Sequence, residues 1–445
     1  MKGSSGHMHV WALCLLLTAA VFGFCVSSFT CEAAPIHVLP SVEDACTQGA
    51  LRFPIFPEGL HRSELSLDRL HVTFATPSLI SPWGHIPATG MTVGRQQIRW
   101  GPGLTGGLVL SDYASLDGLT FQIDLGQARY TQVQAARDLE SGKWLLAHRL
   151  EGDVLPNLKL GISEAIAVSG GFHMQFAHLI PACPYYLIQH LTIKKDREQD
   201  KWTNALVSVD ASVDLKDDIL AYAEFMADDF PWALSAKGRV PYMVGGLVGI
   251  SLRKPLQSHA QKQGPLIKEF CHENSKPERY YSVTAEYVRI NNYVYSHKNP
   301  DNTYVTKNET LIGHPLGPDA DGVYLILASD LHHQIGPVRA RQASLSLGFE
   351  RHGEGELGQP WRPDDGIKYE FLSGTIETRT ALGLSAVIEL KAPCDAQLYN
   401  GSSFLDLSLK VKNIDNAGHI SGDRDVEGSL IIALRLHYGP FDSRP

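Results

Sequence analysis

Residues 205–215 read ALVSVDASVDL, a stretch in which apolar and polar side chains alternate at every second position. Val207 and Val209 belong to the apolar phase of this alternation, and Ser208 and Asp210 belong to the polar phase. Successive side chains of a β-strand point to opposite faces of the sheet. The segment therefore predicts a strand with one apolar face and one polar face.

The same alternation recurs along most of the chain, for example at 404–412 and 429–438. The expected strands run from His71–Ala75 to Ser429–Tyr438, with an expected total of about 16–18. The longest apolar run after the start, 240–252, contains three glycines and is too short to span a membrane as a helix. The sequence therefore predicts an all-β protein, a single large antiparallel transmembrane β-barrel with lipid outside and water inside.

The composition fits a barrel better than a bundle of membrane helices. Hydrophobic residues make up 44% of the chain, and a barrel needs apolar side chains on only half of its strand positions. The formal net charge of −9 disfavours nucleic acid as a partner. No internal repeat or low-complexity linker divides the chain, which indicates one barrel domain.

The start of the chain predicts export. Residues 1–34 fit a cleaved signal peptide, since Lys2 precedes an apolar run at 10–26 and the small residues Ala33 and Ala34 follow it. An uncleaved membrane anchor is the alternative. Residues 35–68 lack clear periodicity and are expected to form a short periplasmic or plug-like lead-in, with the barrel occupying 69–445. The predicted location is the bacterial outer membrane.

Four long polar stretches are candidate external loops, because outer-membrane barrels have short turns at one end and longer loops at the other. They are Gln257–Pro277, Ser296–Leu311, Gly353–Gly366 and Ile414–Glu427.

The segment Gly94–Asp112, GRQQIRWGPGLTGGLVLSD, resembles the signature of the Wzi-type family of capsule assembly proteins. Three further segments resemble family motifs in the same order: Gly161–Glu164 (GISE), Glu224–Phe230 (EFMADDF) and Gly313–Leu325 (GHPLGPDADGVYL). The resemblance implies an outer-membrane barrel that binds or organises surface polysaccharide, as a lectin does, without catalysis. Its implied partners are that polysaccharide and outer-membrane lipid. The lead-in is shorter than the helical region of the family. The resemblance therefore extends to the barrel, but not to the helical region and the capsule attachment associated with it.

Six residues within these segments are candidates for polysaccharide binding or for a polar network inside the lumen. Arginine can bind carboxylates or acidic sugars through two parallel hydrogen bonds, and tryptophan can stack on a sugar ring. In the structural interpretation, the same arginines instead pair with luminal carboxylates. The six are Arg95, Arg99, Trp100, Glu164, Asp228 and Asp229.

The sequence contains no recognisable catalytic or metal-binding motif. Glycoside hydrolysis uses two carboxylates, but Asp228 and Asp229 are adjacent and would point to opposite faces of a strand. The 19 histidines are scattered without a metal-ligand spacing. We therefore expect no enzyme activity, no metal and no cofactor.

Two other functions stay open at this point. One is a porin-like channel for small solutes, and the other is a secreted soluble β-protein that acts on carbohydrate. Whether the lumen is open or closed distinguishes the porin-like channel from the polysaccharide-binding barrel. For the polysaccharide-binding barrel we expect a lumen closed by charged side chains and inward loops. The identity of the sugar and the oligomeric state are not determined by the sequence.

Overall fold

The computed structural model describes residues 41–54, 64–76, 79–81, 84–169, 184–185, 203–216, 218–228, 242–255, 280–336, 338–359, 371–390 and 401–438. Its strands are β1 Ser41–Pro54, β2 Glu64–Thr76, β3 Leu79–Ser81, β4 Gly84–Ile86, β5 Thr89–Gln97, β6 Ser115–Asp124, β7 Ala128–Asp138, β8 Lys143–Leu155, β9 Leu158–Val168, β10 Thr203–Lys216, β11 Ile219–Asp228, β12 Met243–Pro255, β13 Tyr280–Ile290, β14 Ala320–Ile335, β15 Val338–His352, β16 Glu377–Leu390, β17 Gly401–Asp415 and β18 Arg424–Tyr438. In these ranges, no helix has the length and apolarity needed to cross a bilayer.

Sixteen of these described strands form one closed antiparallel barrel, and β3 and β4 pair separately as a small hairpin. Closure depends on β1, which pairs with β2 on one side and with β18 on the other, from Ala45↔Tyr438 to Pro54↔Ser429. The fold class expected from the sequence is confirmed.

The assignment of 35–68 to a lead-in outside the barrel was wrong for the described part of that segment. Residues 41–54 form β1, and Glu64 begins β2. Strand β1 has no clean alternation, so only its pairing with the distant β18 identifies it as a strand. Without β1 the sheet would have two unpaired edges, which a bilayer does not tolerate because it supplies no hydrogen-bond partners.

The alternation of β10 separates the outer wall from the lumen as predicted. Val209 is 49% exposed, whereas the next side chain, Asp210, is only 7% exposed and forms an ion pair inside the barrel. The same phase on the neighbouring strands places Ile162 and Phe225 outward, and both are about half exposed. These side chains belong to an apolar outer surface of the kind that contacts lipid.

We expect Val209→Arg to impair barrel assembly much more than Ser212→Arg does. Arginine at the lipid-facing midplane costs roughly 2–4 kcal/mol, whereas Ser212 belongs to the luminal phase of β10, with Asp210. Folding of both variants into lipid vesicles, followed by heat-modifiable gel migration, measures the difference. Equal folding yields for the two variants would contradict the assignment of the outer face.

The two ends of the barrel differ in the length of their connections. Two residues join β8 to β9, β10 to β11, and β14 to β15 at the turn end, whereas 98–114, 291–319 and 353–376 join strands at the loop end. Three of the four predicted external loops lie at the loop end. The fourth, Gln257–Pro277, joins β12 to β13 at the turn end and was placed at the wrong end, although its own residues lie outside the described ranges.

Two strand assignments also differ from the sequence-based expectation. The sequence analysis did not identify β7, whose outward phase carries Gln132 and Gln134 in place of an apolar series. Lys368–Thr375 was expected to be a strand, but its described part belongs to the loop between β15 and β16. The backbone N–H groups of Leu372 and Ser373 donate to the carboxylate of Asp319 and not to a neighbouring strand. The expected strand Tyr186–Lys194 and residues 1–34 lie outside the described residues.

Candidate functional site

Two loops fold into the barrel at the loop end and close its lumen. We call residues 98–114 and 291–319 together the plug. Trp100, Leu108 and Tyr295 of the plug are buried in one hydrophobic cluster with inward side chains of the barrel wall, such as Met226 and Leu247. The sequence analysis expected charged side chains and inward loops to close the lumen, and the inward loops are present. At the loop end, the core of the plug is apolar and not charged. Loop backbone brought into the barrel needs a hydrophobic core of its own.

The two loops of the plug are joined directly by hydrogen bonds. The backbone N–H of Ser111 donates to the carbonyl of Ile312 at 2.9 Å. The hydroxyl of Tyr295 donates to the carbonyl of Leu108 at 2.6 Å and accepts the backbone N–H of His314 at 3.1 Å. The loops therefore form one packed unit inside the barrel.

Carboxylates on the barrel wall hold the plug by accepting its backbone N–H groups. Glu224 of β11 accepts from Leu108 N at 3.2 Å, and Asp228 accepts from Tyr295 N at 2.7 Å. Both carboxylates are buried. Hydrogen bonds donated to a buried carboxylate compensate for the hydration that the carboxylate loses on burial.

Glu286 of β13 makes the largest set of these contacts. Its carboxylate accepts Leu104 N at 2.7 Å, Thr105 N at 2.9 Å and the hydroxyl of Tyr222 at 2.7 Å, together with the hydroxyl of Thr105. Glu286 is only 2% exposed. The lowest turn of the plug is therefore fixed at one point of the wall.

The glycine at 101 permits the close approach between the plug and β11. Gly101 has a φ of +87°, which side-chain-bearing residues rarely adopt. A Cβ atom at this position would also collide with the carboxylate of Glu224. The position of the buried carboxylate thus requires glycine at 101.

His314 connects the plug to the same carboxylate network in its neutral form. Its Nδ1 accepts the backbone N–H of Leu316 at 3.2 Å, so the proton is on Nε2, 3.0 Å from the Thr105 hydroxyl. Complete burial lowers the pKa of His314 to about 4. A second proton on Nδ1 would displace the Leu316 N–H.

We expect the plug to lose stability as the pH falls below about 6.5. The folded pKa of His314 is about 4 and the unfolded value is about 6.5, so the folded state binds fewer protons between these values. The stabilisation is complete above pH 6.5 and is lost as the pH approaches 4, for a total on the order of 3 kcal/mol. Urea unfolding of the wild type and His314→Gln measures it. An identical pH dependence for both proteins would contradict the assignment.

Charged side chains fill the turn-end half of the lumen, below the plug. Arg149 of β8 is buried and bonds Asp210 through two nitrogens, at 2.5 and 3.0 Å. It also donates to Ser163 at 2.8 Å and to Glu151 at 3.1 Å. On the opposite wall, Arg435 pairs with the carboxylate of Asp406. The expected charged network therefore exists in this half of the lumen, and a further luminal ion pair, Arg379 with Glu377, lies nearer the loop end.

A polar cavity of about 330 Å³ lies between the underside of the plug and the wall of β5 to β8. Its lining carries guanidinium, amide and hydroxyl groups, which are the groups that bind the hydroxyls and carboxylates of sugars. The lining includes Gln96, Arg99, Trp100, Gln122 and Arg129, together with the carboxylate of Glu151, which pairs with Arg149. Among the described residues, no group of three His, Cys, Asp or Glu side chains is placed to hold a metal ion.

The structure brings three of the six candidate residues together in the lumen. Arg99 lines the polar cavity and lies 4.0 Å from Asp112. Asp228 holds the plug through Tyr295. Trp100 is buried in the plug core and also lines the polar cavity, and stacking of its ring on a sugar stays a prediction.

Arg95 and Glu164 lie on the outer wall, which contradicts their assignment to the lumen. Arg95 is directly opposite Asp117 in the sheet and pairs with it through two hydrogen bonds, at 2.8 and 2.6 Å. Their side chains are 39% and 55% exposed. Glu164 shares its face with the outward Ile162, accepts the backbone N–H of Tyr185 at 2.7 Å and lies 3.1 Å from His148. The sixth candidate, Asp229, lies outside the described residues.

Several residues that hold the plug or fill the lumen below it were not identified from the sequence. Glu286 and Tyr222 occupy luminal positions of alternating strands, and Arg149 does the same on β8. A polar residue in the luminal phase is ordinary for a barrel, so the sequence carries no signal that selects these three. Their roles follow from their tertiary contacts: Glu286 accepts the loop donors, Tyr222 donates to Glu286, and Arg149 pairs with Asp210.

Three of the four segments that resemble the capsule assembly family meet at the plug. Gly94–Asp112 supplies one of its loops and Gly313–Leu325 supplies part of the other. Glu224 and Asp228, in the third segment, accept their backbone N–H groups. Gly161, in the remaining segment Gly161–Glu164, lies below the plug against Arg149 and Asp210. A Cβ atom at this position would collide with both side chains.

No protein-family model matches the chain, and no curated protein matches its sequence. Among solved structures, the chain is similar to Wzi of Escherichia coli, an outer-membrane protein involved in group 1 capsule assembly and described as a carbohydrate-binding β-barrel. That similarity has 14% identity and a TM-score of 0.48, covering 88% of this chain and 84% of Wzi.

Two further solved structures come from other bacteria. OccD3 (OpdP) of Pseudomonas aeruginosa has 10% identity and a TM-score of 0.44, covering 92% of this chain and 93% of that one. A porin from Rh. blastica has 11% identity and a TM-score of 0.37, covering 90% of this chain and 100% of the porin. At these values, none of the three structures decides between carbohydrate binding and solute passage for this chain.

Proposed function

We propose that this protein is a non-catalytic barrel of the bacterial outer membrane that binds surface polysaccharide and does not act as an open channel. The observation that carries the proposal is the convergence of three of the four family-like segments on one plug, with the remaining segment in the wall beneath it. Segments that are far apart in sequence supply its two loops, two of its buried carboxylate acceptors and the wall beneath it. The apolar outer surface suits insertion into a membrane.

The polar cavity under the plug is the contact that we propose for an acidic sugar unit. Arg99 and Arg129 offer guanidinium groups, and Gln96 and Gln122 offer amides that can donate to or accept from hydroxyls. The loop Ser296–Leu311, which the sequence analysis placed at the surface to meet the sugar, contains the buried residues Ser296 and Tyr304 and is part of the plug. Its deletion would remove the plug core, so it is not a useful test of binding.

Binding of extracted surface polysaccharide to purified protein tests this proposal, with the double variant Arg99→Gln and Arg129→Gln as the site variant. We expect weaker retention of an acidic polymer and a smaller effect of added salt in that variant. The matched control is the double variant Arg95→Gln and Asp117→Asn, which removes an exposed pair on the outer wall. Equal loss of binding in the site variant and the control would contradict the assignment of the cavity.

The porin alternative is tested separately by conductance. The plug supports a closed lumen, so purified wild-type protein in a planar bilayer should give no porin-like steps of current. Large regular steps from a folded wild-type sample would favour solute passage and would overturn the proposal. Shortening of the polysaccharide during incubation would overturn its non-catalytic part.

A further inference from the structure

An apolar groove of about 870 Å³ runs along the outer wall between β10 and β13. Its floor is formed by the small residues Ala211, Ala223 and Gly246. Ala211 and Ala223 lie opposite each other in the sheet, and Gly246 lies opposite Phe225. A Cβ atom added at Gly246 would meet nothing within 4 Å. Val248 lines the groove beside it. The groove is thus a gap in the apolar surface that could hold one hydrocarbon chain.

A cation lies at the loop end of this groove. Arg289 lies opposite Gly246 in the sheet and in the outward phase of β13. Its guanidinium lies 3.7 Å from the centroid of the Phe371 ring, and its Nε donates to Asn291 at 3.4 Å. Within the described residues, no carboxylate forms an ion pair with Arg289.

Other outward arginines at the loop end are neutralised by a partner. Arg95 forms a two-pronged pair with Asp117, and Arg351 forms one with Asp321 at 2.9 and 2.6 Å. Arg289 lies opposite the same Asp321 in the sheet, but that carboxylate is bonded to Arg351 and to the hydroxyl of Tyr287. Arg289 can therefore offer its charge to a ligand. A guanidinium binds phosphate oxygens through two parallel hydrogen bonds.

We propose that this groove binds a phosphate-bearing lipid, with one acyl chain along Gly246 and the phosphate at Arg289. The apolar lining suits the hydrocarbon chain, and the cation lies where the lining ends, as a headgroup requires. A second copy of the barrel fits less well. A twofold contact through this groove would bring Arg289 against the same surface, where the neighbouring outward carboxylate among the described residues, Asp321, is already paired with Arg351.

Native mass spectrometry of the detergent-purified protein with added phosphatidylglycerol or phosphatidylcholine tests the proposal. We expect the wild type to retain phosphatidylglycerol in preference to phosphatidylcholine, and Arg289→Gln to bind phosphatidylglycerol about fivefold more weakly. Arg289→Lys should keep part of the preference because the charge stays. Gly246→Leu fills the groove without a steric clash and should reduce retention of both lipids.

The control is again the double variant Arg95→Gln and Asp117→Asn, which should retain lipid as the wild type does. Heat-modifiable migration shows that each variant is folded. Unchanged phosphatidylglycerol retention in folded Arg289→Gln or Gly246→Leu would overturn the proposal. A wild-type dimer that Gly246→Leu dissociates would show that a second copy occupies the groove, which also overturns it. The result does not depend on polysaccharide binding.

Discussion

Replacement of Glu286 by alanine should open the lumen. The carboxylate accepts two backbone N–H groups of the plug and the hydroxyls of Tyr222 and Thr105. Each buried donor left without an acceptor costs about 1–3 kcal/mol. The lowest turn of the plug, around Leu104, then loses its attachment to β13. We expect single-channel conductance in a planar bilayer to rise from background to large, fluctuating openings.

Two variants control for this result. Glu286→Gln keeps an acceptor oxygen and should give rarer or smaller openings than alanine. Glu427→Ala removes a carboxylate that is 56% exposed and pairs with Lys412, and it should conduct as the wild type does. A folded Glu286→Ala barrel that stays silent would show that the plug is held by its apolar core and not by the carboxylate.

Replacement of Arg149 by methionine should give the largest loss of stability. Its guanidinium forms a two-pronged pair with Asp210 and also contacts Ser163 and Glu151, all inside the barrel. Removal of one partner of a buried ion pair costs about 3–5 kcal/mol, because the other charge is left buried and unpaired. Urea unfolding of the barrel in lipid vesicles measures this change.

The matched comparison uses the same chemistry on the outer wall. Arg95 and Asp117 form a pair of equal geometry that is largely exposed, and Arg95→Met should therefore cost only about 0–1 kcal/mol. The double variant Arg149→Met and Asp210→Leu should recover most of the stability, since no buried charge on Asp210 remains. Similar losses for Arg149→Met and Arg95→Met would contradict the assignment of the two faces.

Local pattern was sufficient where a strand has solvent or side chains on one face and lipid on the other. The alternation of 205–215 correctly separates Val209 from Asp210, because the pleat of a strand fixes which side chains share a face. Alternation also places Glu164 in the phase of the outward Ile162, but Glu164 was selected from the family-like segment GISE and not by its phase. Its acidic side chain was assigned to the lumen, but it faces outward, where it accepts the backbone N–H of Tyr185.

The candidate site was predictable only as a set of segments. The sequence selected the segments that build the plug, but it did not distinguish the roles of Arg95 and Arg99. These two residues are four positions apart, yet one is on β5 at the outer wall and the other is past the end of that strand, at the polar cavity. The chain leaves the sheet between them, and from there alternation no longer determines direction.

The sequence by itself determined that this chain forms antiparallel strands with one apolar face, since period-two alternation acts within a few residues. The tertiary structure alone decided that β1 closes the barrel against β18, and that two loops turn inward onto Glu224 and Glu286. These contacts join residues more than 100 positions apart. They form because buried N–H groups and strand edges need partners, and any suitable acceptor that the closed barrel brings near can meet that need.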